Sequence, residues 1–242
     1  AGTTTPWIPA FAGMTNGWHD IDGTARGGAW DIGADEVPVE FVSTICQATS
    51  TGGDCVNMDF SRLFDWEARV DSDIASSATR VFGGWRNGTL AENGAVTLIY
   101  PPSSTTTITG YIIATTSDQI LIRDITGTSS PLIVTASGTR WFYTAGNYWN
   151  ISTTSEVTSQ DAWGASPIAV AKIDGAWTAA DTASVNITDW TTGRYNYIKI
   201  YSTESARHMG KWDEWKYRLE ISSSYNIYIR ENFVQIKGLQ LK

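Results

Sequence analysis

The chain has 242 residues, with 17 Lys and Arg against 25 Asp and Glu, a formal charge of −8, 42% hydrophobic and 17% charged residues. No basic run occurs, which argues against nucleic acid and anionic membrane as partners, and no apolar stretch is long enough to span a bilayer. The low charge and heavy use of Thr, Ser and Gly disfavour long amphipathic helices and favour strands and turns.

Residues 1–40 read as an extended segment, with Pro6, Pro9, Pro38 and the glycines from Gly23 to Gly33, and with one short strand expected at 29–34. The opening AGTTTPWIPAFAGMT lacks the basic start and apolar core of a signal peptide, so Ala1 is read as a mature N-terminus left by cleavage. Asp20, Asp22 and Gly23 have the Asp-x-Asp-Gly spacing of a calcium loop, but the twelfth position is Asp31 and not Glu. Asp and Gly as turn residues is the competing reading, so no cofactor is expected beyond this calcium option.

Residues 41–46 read as a strand. Cys46 and Cys55 flank the Gly-rich turn QATSTGGD, and a disulfide between them is expected outside the cell. The stretch 59–70, DFSRLFDWEARV, is the one convincing helix. Asp59 or Ser61 is its expected cap, Leu63, Trp66 and Ala68 or Val70 its apolar stripe, and Arg62, Glu67 and Arg69 its polar face.

From Arg80 the hydrophobic period switches to two. Strands are expected at 95–100, 105–116, 119–126, 131–136 and 140–145, with a tight hairpin at Ser117-Asp118, in a small antiparallel sandwich or barrel over residues 84–165. The aromatic run Trp141, Phe142, Tyr143, Tyr148, Trp149 has two readings. One is packed core, and the other is ligand stacking by Trp141, Tyr143 and Trp149. Residues 166–242 carry short β-branched strands at 168–173, 184–188, 197–201, 217–221, 226–229 and 233–240, a pattern that fits strands laddered in parallel coils.

No catalytic constellation emerges. Adjacent Asp213 and Glu214 in RHMGKWDEWKYRLE would point to opposite faces of a strand, and His19 and His208 have no nucleophile motif beside them. The sequons at Asn87, Asn150 and Asn186 mark surface loops if the cell glycosylates them.

Several strings resemble right-handed parallel β-helix surface proteins. GGAWDIGADE (27–36) resembles their closing coil, DFSRLFDWEARVDSDI (59–74) their opening capping helix, and 185–241 their first coils. The block between resembles repeat modules of secreted and phage-like surface proteins, and PWIPAFAGMT resembles the translation of a dispersed bacterial DNA repeat. The resemblance implies an all-β fold: short or partial right-handed parallel β-helix coils, a small antiparallel sandwich or barrel module and one short capping helix. The expected divisions are 1–40 (segment with the closing motif), 41–83 (strand, Cys loop, cap), 84–165 (inserted module) and 166–242 (coils).

The motif order is unusual, because the closing element precedes the opening ones. The last coil is therefore expected to be open, and the N-terminal segment of a neighbour to dock on it. Trp30, Ile32, Val37, Val39 and Phe41 would supply one side of the contact, and Val234, Ile236, Leu239 and Leu241 the other. The expected function is that of a non-catalytic structural protein, extracellular or at the cell surface, whose partner is copies of itself in a fibre or filament. The alternative is a β-helix protein that binds or cleaves carbohydrate such as surface glycans.

Overall fold

The computed structural model describes residues 39–50, 52–99, 107–127, 139–152, 167–222 and 224–242, which belong to the unit Pro38–Lys242. The described residues are mostly β with one short α-helix. The first strand, Val39–Ile45 (β1), alternates buried Phe41, Ser43 and Ile45 with half-buried neighbours. A 3₁₀ turn at Gly53–Asn57 follows, and Cys46 and Cys55 form a disulfide with Cα atoms 5.7 Å apart.

The helix Leu63–Val70 (α1) starts four residues later than the sequence suggests. Neither expected cap serves it. The N-cap position is Arg62, whose side chain makes no capping bond, and the Leu63 N–H instead donates to Asp181 Oδ2 (3.2 Å), 118 positions downstream. Asp59 is engaged elsewhere, accepting the Thr44 N–H at 2.7 Å. Glu67 also departs from expectation. It lies on the buried face with Leu63, Trp66 and Val70, and its Oε1 accepts the Trp190 indole N–H at 3.1 Å.

Six antiparallel strands then close a barrel: Arg80–Asn87 (β2), Ala95–Ile99 (β3), Thr107–Thr115 (β4), Gln119–Thr126 (β5), Arg140–Phe142 (β6) and Tyr148–Ile151 (β7), in the order β2-β5-β4-β3-β6-β7. It begins at Arg80, inside the segment assigned to the cap, and β7 is a strand the sequence pattern did not mark. Gly84 (φ 151°) sits where β2 leaves β5 for β7, and a Cβ there would lie 2.1 Å from the Asn150 carbonyl oxygen. Only glycine permits that crossing. The expected hairpin at Ser117-Asp118 joins β4 and β5, with the Thr116 N–H donating to the Gln119 carbonyl at 2.8 Å. The expected strand at 131–136 lies outside the described residues.

The barrel packs on both sides of its wall. Phe82, Leu98, Ile112, Ile120, Ile122, Trp141 and Trp149 fill the interior, while Val81, Ile113, Ala114 and Leu121 join the core of the rest of the unit. A register shift between Ile112 and Ala114 turns two successive residues outward.

Beyond the barrel every strand pairing is parallel. The strand Pro167–Ile173 (β8) lies beside β1, and Val185–Ile187 (β9) follows it. Ile198–Ser202 (β10) returns to β8, and Arg218–Leu219 (β11) meets Asp181 through Leu219. Ile227–Ile229 (β12) returns to β9, Val234–Lys237 (β13) to β10, and Gln240–Leu241 (β14) to β11. Like residues therefore stack: Ile198 on Val234, Ile200 on Ile236, Ile187 on Ile229, Leu219 on Leu241. The sheet order β1-β8-β10-β13 leaves β1 and β13 at its edges.

Candidate functional site

The two edges of this sheet are treated differently, and that difference defines the candidate site. An edge strand offers unpaired amides and carbonyls to any other strand. At β1 these groups are occupied. Gln119, reaching from the barrel, accepts the Val42 N–H (3.1 Å) and donates to the Glu40 carbonyl (2.8 Å), so one side-chain amide takes the place of a neighbouring strand. Further along, the Asp59 and Phe60 amides donate to the Thr44 carbonyl, and the Cys46 N–H donates to Phe60 O. Helix α1 and the barrel wall cover the core behind this edge. Replacing Gln119 by alanine is expected to lower stability by about 1–2 kcal/mol in denaturant melts. A loss no larger than that of an exposed control such as Thr126→Ala would show that the amide contributes nothing.

The opposite end is open. Among the described residues β13 has a single strand neighbour, β10. Ile187, Ile198, Ile200 and Leu219 are fully buried, yet the residues stacked on the last three and on Ile187 are not: Ile229 is 44% exposed, Ile236 38% and Leu241 51%, with Val234 half-buried. These residues occupy core-facing positions, and among the described residues no further layer lies over them. Phe233 is 51% exposed at the same end, and Leu239 is half-buried. Exposed basic residues Arg230, Lys237 and Lys242 border the patch.

The closed end carries unusual electrostatics. Burial pushes Glu67 up to about 7 against hydrogen bonding from Trp190, and neighbouring Asp71 and Asp189 add repulsion. Burial likewise raises Asp71 and Asp59, each to about 6. Asp181 is buried and raised by desolvation. It still accepts from Leu63, Ala183 and the fully buried Tyr217 hydroxyl, and so ties the start of α1 to the parallel ladders.

The structure distributes the residues singled out in the sequence as follows. The Cys46–Cys55 disulfide is formed. Val234, Ile236, Leu239 and Leu241 gather at the open end. Phe41 is fully buried and Val39 half-buried in β1, so Phe41 is a core side chain and not a contact surface. Trp141 and Trp149 are fully buried in the barrel, where Phe82 packs edge-on against Trp141 (5.4 Å), and Tyr143 packs half-buried against the same core. This corrects the stacking reading for both tryptophans, because their faces are covered by apolar neighbours. Asn150 is also buried, its Oδ1 accepting from Arg140 (3.1 Å), which removes it as a glycosylation acceptor in the folded chain. Asn87 and Asn186 are exposed. Trp30, Ile32, Val37 and the calcium-like Asp20, Asp22 and Asp31 lie outside the described residues.

Sequence reasoning missed Gln119, Asp181, Ile227 and Ile229, whose roles depend on partners far along the chain. Among the described residues no helix is long and apolar enough to cross a membrane, and no group of three or more His, Cys, Asp or Glu could hold a metal ion. No protein family, curated protein or solved structure matches the chain.

Proposed function

We propose that this chain is a non-catalytic structural subunit of the extracellular space or cell surface, built on a short right-handed parallel β-helix, that associates head-to-tail with copies of itself. The exposed core positions Ile229, Ile236 and Leu241, next to an edge strand with one neighbour, carry this reading. Leaving such a surface in water costs about 25 cal/mol per Å² of apolar area, and a docked strand recovers that term together with backbone hydrogen bonds. The opposite edge is already occupied by Gln119 and Asp59, so β1 is not the donor.

The segment 30–37, WDIGADEV, suits the open end. Trp30, Ile32 and Ala34 alternate with Asp31, Gly33 and Asp35, giving one apolar face, and Asp31, Asp35 and Glu36 complement Arg230, Lys237 and Lys242. Donated by a neighbour, such a strand gives a heterologous contact that does not close on itself. The disulfide supports an oxidising compartment.

Purified full-length protein is expected to form longer assemblies as concentration rises, seen by sedimentation and negative-stain imaging. Removal of residues 1–40 should abolish them and lower apparent stability. Only compact monomers at high concentration, or unaltered stability of the shortened chain, would overturn the reading.

A further inference from the structure

A second surface lies on the flank of the parallel ladders and rests on observations separate from the open end. A cleft of about 360 Å³ is walled by Ser50, Gly52 and Gly53 on one side and by Asp174, Gly175 and Ser205 on the other, a volume within the range of small-ligand pockets. Its first wall is the loop that the disulfide closes. That loop is fixed further by the Ser50 hydroxyl, which donates to the Ala176 carbonyl (2.8 Å), and by Gln47 Oε1, which accepts the Thr178 N–H (2.6 Å). Gly175 (φ 72°) lets the second wall approach the disulfide, since a Cβ there would lie 2.6 Å from Cys55 Sγ.

The polar groups of the cleft are ordered in advance. Asp174 Oδ1 accepts from Thr203 (2.5 Å), Ser205 (2.5 Å) and the Gly175 N–H (2.8 Å). Burial pushes this carboxyl up, but those three bonds together with Lys172 outweigh it, and Asp174 is held below its ordinary value. It is therefore a carboxylate at neutral pH. Its other oxygen, Oδ2, stands 3.9 Å from the Lys172 ammonium, which also pairs with Asp54.

A loop tied to the wall of this cleft carries an aromatic side chain in water. Trp215 is 69% exposed although its backbone is tightly fixed. Its N–H donates to Asp213 Oδ1 (2.9 Å), and its carbonyl accepts the N–H of Trp177, the residue after Ala176 (3.3 Å). The next residue, Lys216, donates through Nζ to the carbonyl of Ser205 in the cleft wall (2.6 Å). An indole held out on the loop tied to a small, mainly apolar concavity with one carboxylate in its wall matches the face of a sugar ring, with apolar C–H groups on the indole and a hydroxyl on Asp174. The Asp174 carboxylate and the chain's net charge of −8 disfavour acidic sugars.

We propose that this cleft, with Asp174 in its wall and the Trp215 loop at its side, binds a neutral oligosaccharide.

The test is calorimetric titration of the full chain with cellohexaose, xylohexaose and mannohexaose, with hexagalacturonate as the acidic comparison. At least one neutral hexasaccharide is expected to bind, and more tightly than hexagalacturonate. Trp215→Ala should weaken that binding by about tenfold or more without altering the melting temperature, because the side chain is exposed. Asp174→Asn should also weaken it. No neutral sugar bound at millimolar concentration, equal affinity in Trp215→Ala, or preference for the acidic sugar would each overturn the proposal. So would a Trp215→Ala chain that keeps its sugar affinity and loses self-association, which would make this a protein contact. Failure of the head-to-tail reading leaves this result intact, because its variants lie at the other surface.

Discussion

Trp66→Ala is expected to destabilise the chain by about 3–5 kcal/mol and to lower its melting temperature by roughly 10 °C. Trp66 is fully buried on α1, its ring centroid 5.7 Å from that of Trp190, in the core that joins the helix to β1, β8 and β9. Truncation leaves a large void in a wall made of elements that no local contact holds together. Phe64, one turn face away and 44% exposed, provides the comparison, since Phe64→Ala should cost well under 1 kcal/mol. Trp66→Phe should be intermediate, at about 1–2 kcal/mol. It keeps most of the apolar contact and removes an indole N–H that has no partner among the described residues. Thermal melts followed by circular dichroism would decide the matter. Equal midpoints for Trp66→Ala and Phe64→Ala would mean that α1 does not seal this end.

The legibility of the fold followed the range of the forces involved. The β5 strand Gln119–Thr126 and its hairpin at Ser117-Asp118 are local, and their pattern alone marks them. The disulfide is local too, its cysteines nine positions apart. Strands β9 to β13 were readable because short apolar runs, β-branched in all but β11, stand between turn residues. Periodicity marked β4 as a strand but not its two packed faces, since at Ile112, Ile113 and Ala114 interior and outer wall both take apolar side chains. It failed for Glu67 because its partner, Trp190, is 123 positions away, and for the helix cap because Asp181 is 118 away. The open end was half visible: Val234, Ile236, Leu239 and Leu241 could be named, whereas Ile229 needed the β9–β12 register. The aromatic run 141–149 had two readings, core and stacking, because composition does not distinguish an inward tryptophan from an outward one; the core reading holds for Trp141 and Trp149. Among the described residues the exposed indoles are Trp85, Trp212 and Trp215.

Glu67 makes the chain's stability depend on pH in a direction opposite to simple acid denaturation. Its ordinary value of 4.5 is pushed up to about 7, first by burial and then by repulsion from Asp71 and Asp189, against the Trp190 indole and the Thr188 backbone amide that hydrogen-bond it. Asp71 and Asp59 move from 3.8 to about 6, both chiefly by burial, and one oxygen of Asp71 is buried without a partner. A carboxyl raised on folding contributes stability when protonated. That contribution is complete below the unfolded value and is lost as pH rises through the folded one. The window therefore runs from about pH 4 to about pH 7. Asp174, held low, acts in the other direction only as pH falls below its ordinary 3.8, and Lys172 and Lys199, raised by pairing with Asp54 and Glu40, stay charged throughout. The chain should thus be more stable at pH 5 than at pH 8. Glu67→Gln keeps an acceptor for the Trp190 indole and removes the charge. It should gain about 1–3 kcal/mol at pH 8, match the parent near pH 4.5, and flatten the profile between them. Denaturant melts across this range provide the measurement. A parent whose stability stays level or rises from pH 5 to 8, or a Gln variant with the parent's slope, would mean that the buried end of α1 takes up no proton and that Glu67 is charged where it lies.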